Sequence, residues 1–180
     1  MNPSLSAVEK LVTEHPSEFT PGLEKVVSLI LAKGAQVFLV SGGTKAVRLV
    51  CAALRAELSS FCIGFRQMIN PLAIRLNLDP ATRVIANNLL FHSDGSFKGF
   101  DDQEPTSRSG GKGVALQGLI DEHGFNTVIM VGDGATDLEA RAQGPADAFI
   151  GFGGVARREA VEAGADWFVT DWDGVIAALR

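Results

Sequence analysis

Short apolar runs alternate along this chain with segments in which apolar residues recur at helical spacing. This order is typical of α/β proteins with a mostly parallel sheet. Runs rich in β-branched and aromatic residues predict strands at 36–40, 83–87, 89–91, 97–100, 127–131, 148–151 and 167–170. Helical segments are predicted at 21–33, 44–54, 114–123 and 156–163. The pattern therefore predicts an α/β protein with a mostly parallel sheet.

Capping and turn residues set some of the boundaries. Thr20 is the expected N-cap of the first predicted helix, with Pro21 at its start and Gly34 just past its end. A Ser-Asp-Gly turn at 93–95 predicts a β-hairpin. Residues 56–79 are rich in apolar side chains but keep no sustained period, so we predict no element there.

Composition narrows the class of protein. The chain has 180 residues, enough for one domain, and its 46% hydrophobic and 21% charged residues are ordinary for a globular protein. The net charge of −5 and the lack of a basic stripe argue against a nucleic-acid partner. Cys51 and Cys62 are too few for a disulfide framework and suit a reducing compartment.

Neither a secretory signal nor a membrane segment is expected. The first residues lack a basic start followed by an apolar run, and acidic residues come early. No stretch of about 18 apolar residues occurs that could span a bilayer. We therefore expect a cytoplasmic protein without a membrane partner.

The loop at 132–137 carries the strongest chemical signal. It follows a buried strand and reads Gly-Asp-Gly-Ala-Thr-Asp, with Asp133 and Asp137 four residues apart. Glycines permit a tight turn, and paired carboxylates suit Mg²⁺, which binds few acidic ligands together with phosphate and water. An ordinary strand-to-helix turn with Asp137 as a cap is the alternative.

Two further segments could bind an anion. Ser41, Gly42 and Gly43 follow a predicted strand and open a helix, so a hydroxyl and exposed N–H groups would face a ligand. Lys112 lies in a glycine-rich loop and could supply a counter-charge to phosphate. Each segment alone is also compatible with a plain turn or a solvated lysine, but the three features in this order are more specific.

Other chemistries have little support. His15, His92 and His123 lack metal-ligand spacing and are interpreted as surface residues. The chain contains no Gly-x-Ser-x-Gly motif, no Walker loop and no cysteine-based phosphatase loop. This removes the common rival routes to phosphoryl transfer.

These motifs resemble the haloacid dehalogenase superfamily, and within it the phosphoserine phosphatases. The resemblance covers most of the chain. Its segments are 20–22, 37–43, 86–87, 99–101, 109–113, 129–137, 146–154 and 165–170. It implies a three-layer α/β/α fold with a mostly parallel sheet and a small β-hairpin insertion.

The resemblance also implies roles for individual residues. Ser41, Gly42 and Gly43 would hold phosphate, and Lys112 would be the catalytic lysine that neutralises a phosphoaspartyl intermediate. Thr136 would lie near the phosphate.

Metal binding is implied at Asp133, with Asp137 beside it supporting the Mg²⁺ site. Arg158 is a weaker candidate for a phosphate or loop contact. The implied reaction is the hydrolysis of O-phospho-L-serine to L-serine and phosphate, the last step of serine biosynthesis, through nucleophilic catalysis by an aspartate.

Two departures from the family stand out. The family carries Asp-x-Asp-x-Thr on a central first strand, followed by a helical cap, and neither is found in this sequence. We expect the sheet beside Asp133 to be left with exposed apolar faces and unpaired backbone groups. Residues 56–74 look like an insertion, so 1–180 would be one incomplete domain.

Three interpretations remain open. The chain could be a truncated or mis-annotated phosphoserine phosphatase that is inactive alone and acts as a homodimer or with a separate N-terminal segment. Its location would be the plastid if a transit peptide is missing. A second is a short isoform that binds phosphate or a protein without turnover. A third places the nucleophile at Asp171 with Asp173 as acid/base, although this late strand should lie too far from Asp133.

Overall fold

The computed structural model describes residues 3–41 and 65–180. Eight α-helices lie in this part of the chain, each formed where apolar positions recur at helical spacing or a cap starts a short turn. They are α1 (Leu5–Glu14), α2 (Leu23–Ala32), α3 (Arg66–Arg75), α4 (Pro80–Arg83), α5 (Gly111–His123), α6 (Ala135–Ala142), α7 (Glu159–Gly164) and α8 (Asp173–Ala178). A 3₁₀ turn covers Pro105–Ser107.

Seven strands are described, and most of them follow the predicted apolar runs. They are β1 (Leu39–Ser41), β2 (Val84–Ala86), β3 (Leu89–Phe91), β4 (Phe97–Phe100), β5 (Ile129–Gly132), β6 (Ala148–Phe152) and β7 (Trp167–Val169). β1 pairs in parallel with β2, and β5, β6 and β7 form a parallel sheet in that order. β3 and β4 form the predicted antiparallel hairpin.

Helices cover both faces of the parallel strands. One core cluster joins α2, α3 and α8 to the strands, and the other joins α5, α6 and α7 to their opposite face. On β1 this alternation is direct, since Leu39 belongs to the first cluster and Val40 to the second. Successive strand residues point to opposite faces. The fold is thus the expected three-layer α/β/α arrangement.

The two groups of parallel strands are not joined by a ladder in the described part of the chain. β1 and β5 contribute side chains to the same two core clusters, yet no pairing between them is found there. The family strand that the resemblance implies beside β5, and that is missing from this sequence, stays a prediction.

The expectation that the sheet beside Asp133 would be left with exposed apolar faces was wrong for β1. Leu39 and Val40 are only 2% and 5% exposed. Side chains of a strand point above and below the sheet, so helices cover them whether or not a neighbouring strand is present. On β5 the outcome differs, since Ile129 remains 55% exposed at the start of the strand.

Helix α3 lies where no element was predicted. Ile69, Leu72 and Ala73 are buried in the first core cluster, although Pro71 lies inside the helix. The described part of the predicted insertion 56–74 therefore contributes one helix face to the core, whereas 56–64 lie outside the described residues. The helix predicted at 44–54 also lies outside them, as do Cys51 and Cys62.

The predicted N-cap of the first predicted helix, which corresponds to α2, was wrong. Gly22, not Thr20, is the N-cap of α2, and its φ of 96° is a left-handed conformation that favours glycine. The Thr20 hydroxyl instead accepts a hydrogen bond from Trp172 Nε1 at 2.7 Å. Tertiary contact thus replaced the predicted local cap.

Among the described residues, no helix combines the length and apolar character needed to cross a membrane.

Candidate active site

Asp133 lies directly after β5, where the strand delivers it to the edge of the sheet. Its side chain is fully buried. Gly134 then serves as the N-cap of α6, and Asp137 lies in the first turn of that helix. The loop therefore brings two carboxylates into the interior. A buried carboxylate needs charged or hydrogen-bonding partners to offset its lost hydration.

Lys112 provides such a partner for Asp137. Its ammonium group forms a buried ion pair with Asp137 Oδ1, and the lysine is only 3% exposed. The other oxygen, Oδ2, accepts a hydrogen bond from the Gly134 N–H at 3.0 Å. One oxygen of Asp137 thus holds the Lys112 ammonium group in place, and the other stabilises the loop that precedes α6. The positive end of α6 adds to the stabilisation of this carboxylate.

Arg158 provides a counter-charge for Asp133. The Arg158 Nε atom lies 3.8 Å from Asp133 Oδ2, which makes an ion pair between a buried carboxylate and a guanidinium that is 49% exposed. Arg158 is the N-cap residue of α7. The loop before α7 therefore reaches across to the end of β5.

On the other group of strands, Ser41 ends β1 and is buried. Ser41 pairs with Ala86 of β2, and Asn87 is the next residue after Ala86. Asn87 therefore lies at the same end of the two strands as Ser41. Asn87 Oδ1 accepts a hydrogen bond from Thr106 Oγ1 at 3.1 Å. A methyl group on Gly111 would lie 3.0 Å from the Thr106 backbone, so this glycine allows the 3₁₀ turn to touch the start of α5.

These contacts form a continuous path through the site. It runs from the end of β2 through the 3₁₀ turn to the start of α5, and from Lys112 to Asp137 at the start of α6. The structure thereby brings together the lysine and both aspartates proposed from the sequence. Gly42 and Gly43 lie outside the described residues.

Two site hydroxyls are buried without a hydrogen-bond partner in the described part of the chain. They are Ser41 Oγ and Thr136 Oγ1. Buried hydroxyls are normally satisfied by protein, water or a ligand. Both residues were predicted to lie near phosphate, and their hydroxyls have donor capacity left for an anion.

The donor set is compatible with Mg²⁺ but does not form a complete cage. No group of three or more His, Cys, Asp or Glu side chains suited to a metal is found among residues 3–41 and 65–180. Mg²⁺ usually binds one or two carboxylates and fills its octahedron with water and phosphate. Asp133 fits that requirement, whereas both oxygens of Asp137 already accept hydrogen bonds.

Asp171 and Asp173 lie apart from this site. They follow β7, which is separated from β5 by β6. With a strand spacing of about 4.8 Å, β7 is roughly 9.6 Å from β5. Asp171 is exposed, and its Oδ1 accepts a hydrogen bond from the Asp173 N–H at 3.0 Å. The pair forms a local turn that starts α8.

Sequence reasoning missed Thr106. This residue is fully buried and links Asn87 to the start of α5. A threonine in a short Pro-Thr-Ser segment carries no motif, so only the fold could identify it. Asn87 had a weak signal, since polar residues directly after buried strands gather at the ligand-binding edge of α/β sheets.

The chain is similar in sequence to known phosphoserine phosphatases. It is 44% identical over 177 residues to the chloroplastic phosphoserine phosphatase of Arabidopsis thaliana, and 40% identical over 180 residues to the phosphoserine phosphatase of Bos taurus. These matches cover 98% and 100% of this chain. The chain spans 52% of the Arabidopsis protein and 69% of the bovine one. No protein-family model matches the chain.

The fold is shared with solved structures of lower identity. A phosphoserine phosphohydrolase-like protein from Francisella tularensis superposes with a TM-score of 0.75 at 23% identity, covering 99% of this chain and 71% of that one. The three-layer fold is of the haloacid dehalogenase type. Within that class, the chain belongs to the phosphoserine phosphatase family.

Proposed function

We propose that this chain forms the metal- and phosphate-binding part of a phosphoserine phosphatase site. The reaction it serves is the Mg²⁺-dependent hydrolysis of O-phospho-L-serine to L-serine and phosphate. The observation that carries the proposal is the buried Lys112–Asp137 ion pair next to Asp133. The named function of the Arabidopsis and bovine relatives supports the choice of substrate.

Lys112 is suited to stabilising negative charge on a phosphoryl group. Its ammonium group is buried, so its electrostatic effect is weakly screened by solvent. Asp137 holds it in one position, and preorganised charge costs no reorganisation during the reaction. Ser41 and Thr136 would add hydroxyl donors to the phosphate oxygens.

Asp133 would hold the Mg²⁺ ion, with water and phosphate completing its coordination. When bound, the ion would offset phosphate charge as a Lewis acid. Asp137 would serve mainly to position Lys112, because both of its oxygens accept hydrogen bonds from this chain.

A second candidate function is non-catalytic binding of phosphate or of a protein. It is favoured by one observation, the lack of an Asp-x-Asp-x-Thr motif in the 180 residues. The position between β1 and β5 would accept an extended segment, from a second copy or from a separate N-terminal piece. For the location we propose the cytoplasm, or the plastid as in the name of the Arabidopsis relative.

Calorimetry and a phosphate-release assay test these proposals on the purified chain. We expect the chain to bind inorganic phosphate in the presence of Mg²⁺, but not to release phosphate from O-phospho-L-serine on its own. Lys112→Met should weaken phosphate binding about tenfold or more, since hydrogen bonds to charged groups contribute about 1.5–3 kcal/mol.

Two control variants keep this result interpretable. Lys98→Met removes an exposed lysine on β4 and should leave phosphate binding unchanged. Lys112→Met combined with Asp137→Asn removes both buried charges and shows whether an unpaired carboxylate unfolds the protein. Turnover by the purified chain would contradict the expected inactivity, and phosphate binding that survives both Lys112 variants would contradict the proposed site.

A further inference from the structure

Among the described residues, Lys112 and Arg158 are the cations seen to reach the acidic loop after β5, and their surroundings differ. Lys112 is buried and forms an ion pair with Asp137. If it moved away, the buried carboxylate of Asp137 would lose its counter-charge. Arg158 pairs with Asp133 from a loop, and its side chain is 49% exposed. Because the Arg158 side chain is already half exposed, its guanidinium can turn towards solvent at little cost in its own hydration.

Asp133 is also the carboxylate proposed to hold Mg²⁺. A guanidinium at 3.8 Å and a divalent cation would compete for the same oxygens, and their like charges would repel each other. The pairing of Arg158 with a fully buried carboxylate offsets part of the cost of burying that charge when no metal is bound.

We propose that Arg158 is a displaceable counter-ion for Asp133, which neutralises this carboxylate in the metal-free protein and moves away when Mg²⁺ binds. Arg158 is therefore a positioning residue that sets the affinity of the metal site. This inference rests on the proposed function, because it requires that Asp133 hold the metal.

The neighbouring Arg157 provides a matched control. Its guanidinium pairs with Glu162 of α7, with Arg157 Nε 2.7 Å from Glu162 Oε2, and this ion pair anchors the loop to the helix. Arg157 and Arg158 are adjacent and carry the same charge, but only Arg158 forms an ion pair with Asp133 among the described residues.

Calorimetric titration of the chain with Mg²⁺ alone tests the inference. Arg158→Gln should bind Mg²⁺ about fivefold more tightly than the unaltered chain, since a partly exposed ion pair contributes up to about 1 kcal/mol. Arg158→Lys should remain close to the unaltered affinity because it keeps a competing cation. Arg157→Gln should change the Mg²⁺ affinity less than twofold, because in the described part of the chain Arg157 pairs with Glu162 and not with Asp133.

A second readout separates competition from a general effect on folding. The increase in melting temperature caused by saturating Mg²⁺ should be larger for Arg158→Gln than for the unaltered chain, because ligand stabilisation grows with affinity. If Arg158→Gln binds Mg²⁺ equally or more weakly while the unaltered chain binds it, the counter-ion role is wrong and the metal site stands. If neither binds Mg²⁺, both are wrong.

Discussion

Gly132 shows how closely single residues are packed where β5 ends. A methyl group on this residue would lie 2.8 Å from Asp137 Cβ and still closer to the carboxyl group. Real side chains essentially never approach so closely. The carboxyl group is held by Lys112 and by Gly134, so it cannot move aside without breaking a buried ion pair. The glycine is therefore required by space at this position.

Gly132→Ala should lower the free energy of unfolding by about 3 kcal/mol, since overpacking a well-packed interior costs 1–3 kcal/mol or more. Urea denaturation measures the change. Gly118→Ala is the matched control: this glycine lies in α5 with open space around it, and alanine should stabilise the helix by about 0.5–1 kcal/mol. Equal stability of Gly132→Ala and the unaltered chain would contradict the packing argument.

At the level of single residues, the sequence indicated which side chains lie together after β5 but not how they pair. The loop pattern indicated Asp133, Asp137 and Lys112 from their types and positions. That Lys112 pairs with Asp137, and Arg158 with Asp133, depends on distances between segments 25 residues apart in each case. No local pattern contains that information.

Between elements, Asp166 ties α6 to β6. Its carboxylate accepts hydrogen bonds from Arg141 Nε at 2.9 Å and from the Phe149 N–H at 2.8 Å. The hydrogen bond from Arg141 is the main cause, followed by that from Phe149, of a pKa for Asp166 below its ordinary value of 3.8. This residue therefore stabilises the fold as an ion.

A carboxyl group with a lowered pKa stabilises the folded state above its unfolded pKa and loses that contribution as the pH falls through its folded pKa. Stability from Asp166 should therefore be complete above about pH 5 and decline below pH 3.8. Asp166→Asn should flatten this part of the curve of unfolding free energy against pH, measured between pH 2 and 6. Glu139→Gln, an exposed change on α6, should leave the curve's shape intact. An unchanged slope in Asp166→Asn would refute the assignment.

Helix α3 was not predicted from the local sequence pattern. Ile69, Leu72, Ala73 and Leu76 recur at the spacing of a helix face, so a signal was present. Pro71 and the irregular apolar residues before it obscured that spacing. The helix forms because burial of this face in the core outweighs the hydrogen bond that proline removes.

At the scale of the whole molecule, Trp172 links two segments that are 152 residues apart in the sequence. It is 3% exposed, stacks on Phe152 with ring centroids 4.3 Å apart, and donates a hydrogen bond to Thr20. Gly22 packs against the same side chain: a methyl group placed on this glycine would lie 3.1 Å from Trp172 Cβ and 3.5 Å from its indole Cδ1. The start of α2 and the start of α8 thus share one anchor.

Trp172→Ala should lower the free energy of unfolding by about 3–5 kcal/mol, because it leaves a cavity in the core and a hydroxyl without its donor. Trp167→Ala removes an indole that is 40% exposed and should cost about 1 kcal/mol or less. Denaturant titration followed by far-UV circular dichroism measures both, because this signal comes from the backbone and does not depend on either tryptophan. Comparable losses in the two variants would show that Trp172 is not a special anchor.

The sequence by itself determined the order of the strands, the hairpin and the acidic loop that carries Asp133. These depend on side-chain period, turn residues and motif, which are local properties of the chain. Only the tertiary structure decided the separation of β1 from β5, the helix at 66–75, the capping of α2 and the pairing of each cation with its carboxylate. Those features come from burial and from contacts between distant segments, whose energies outweigh local preference.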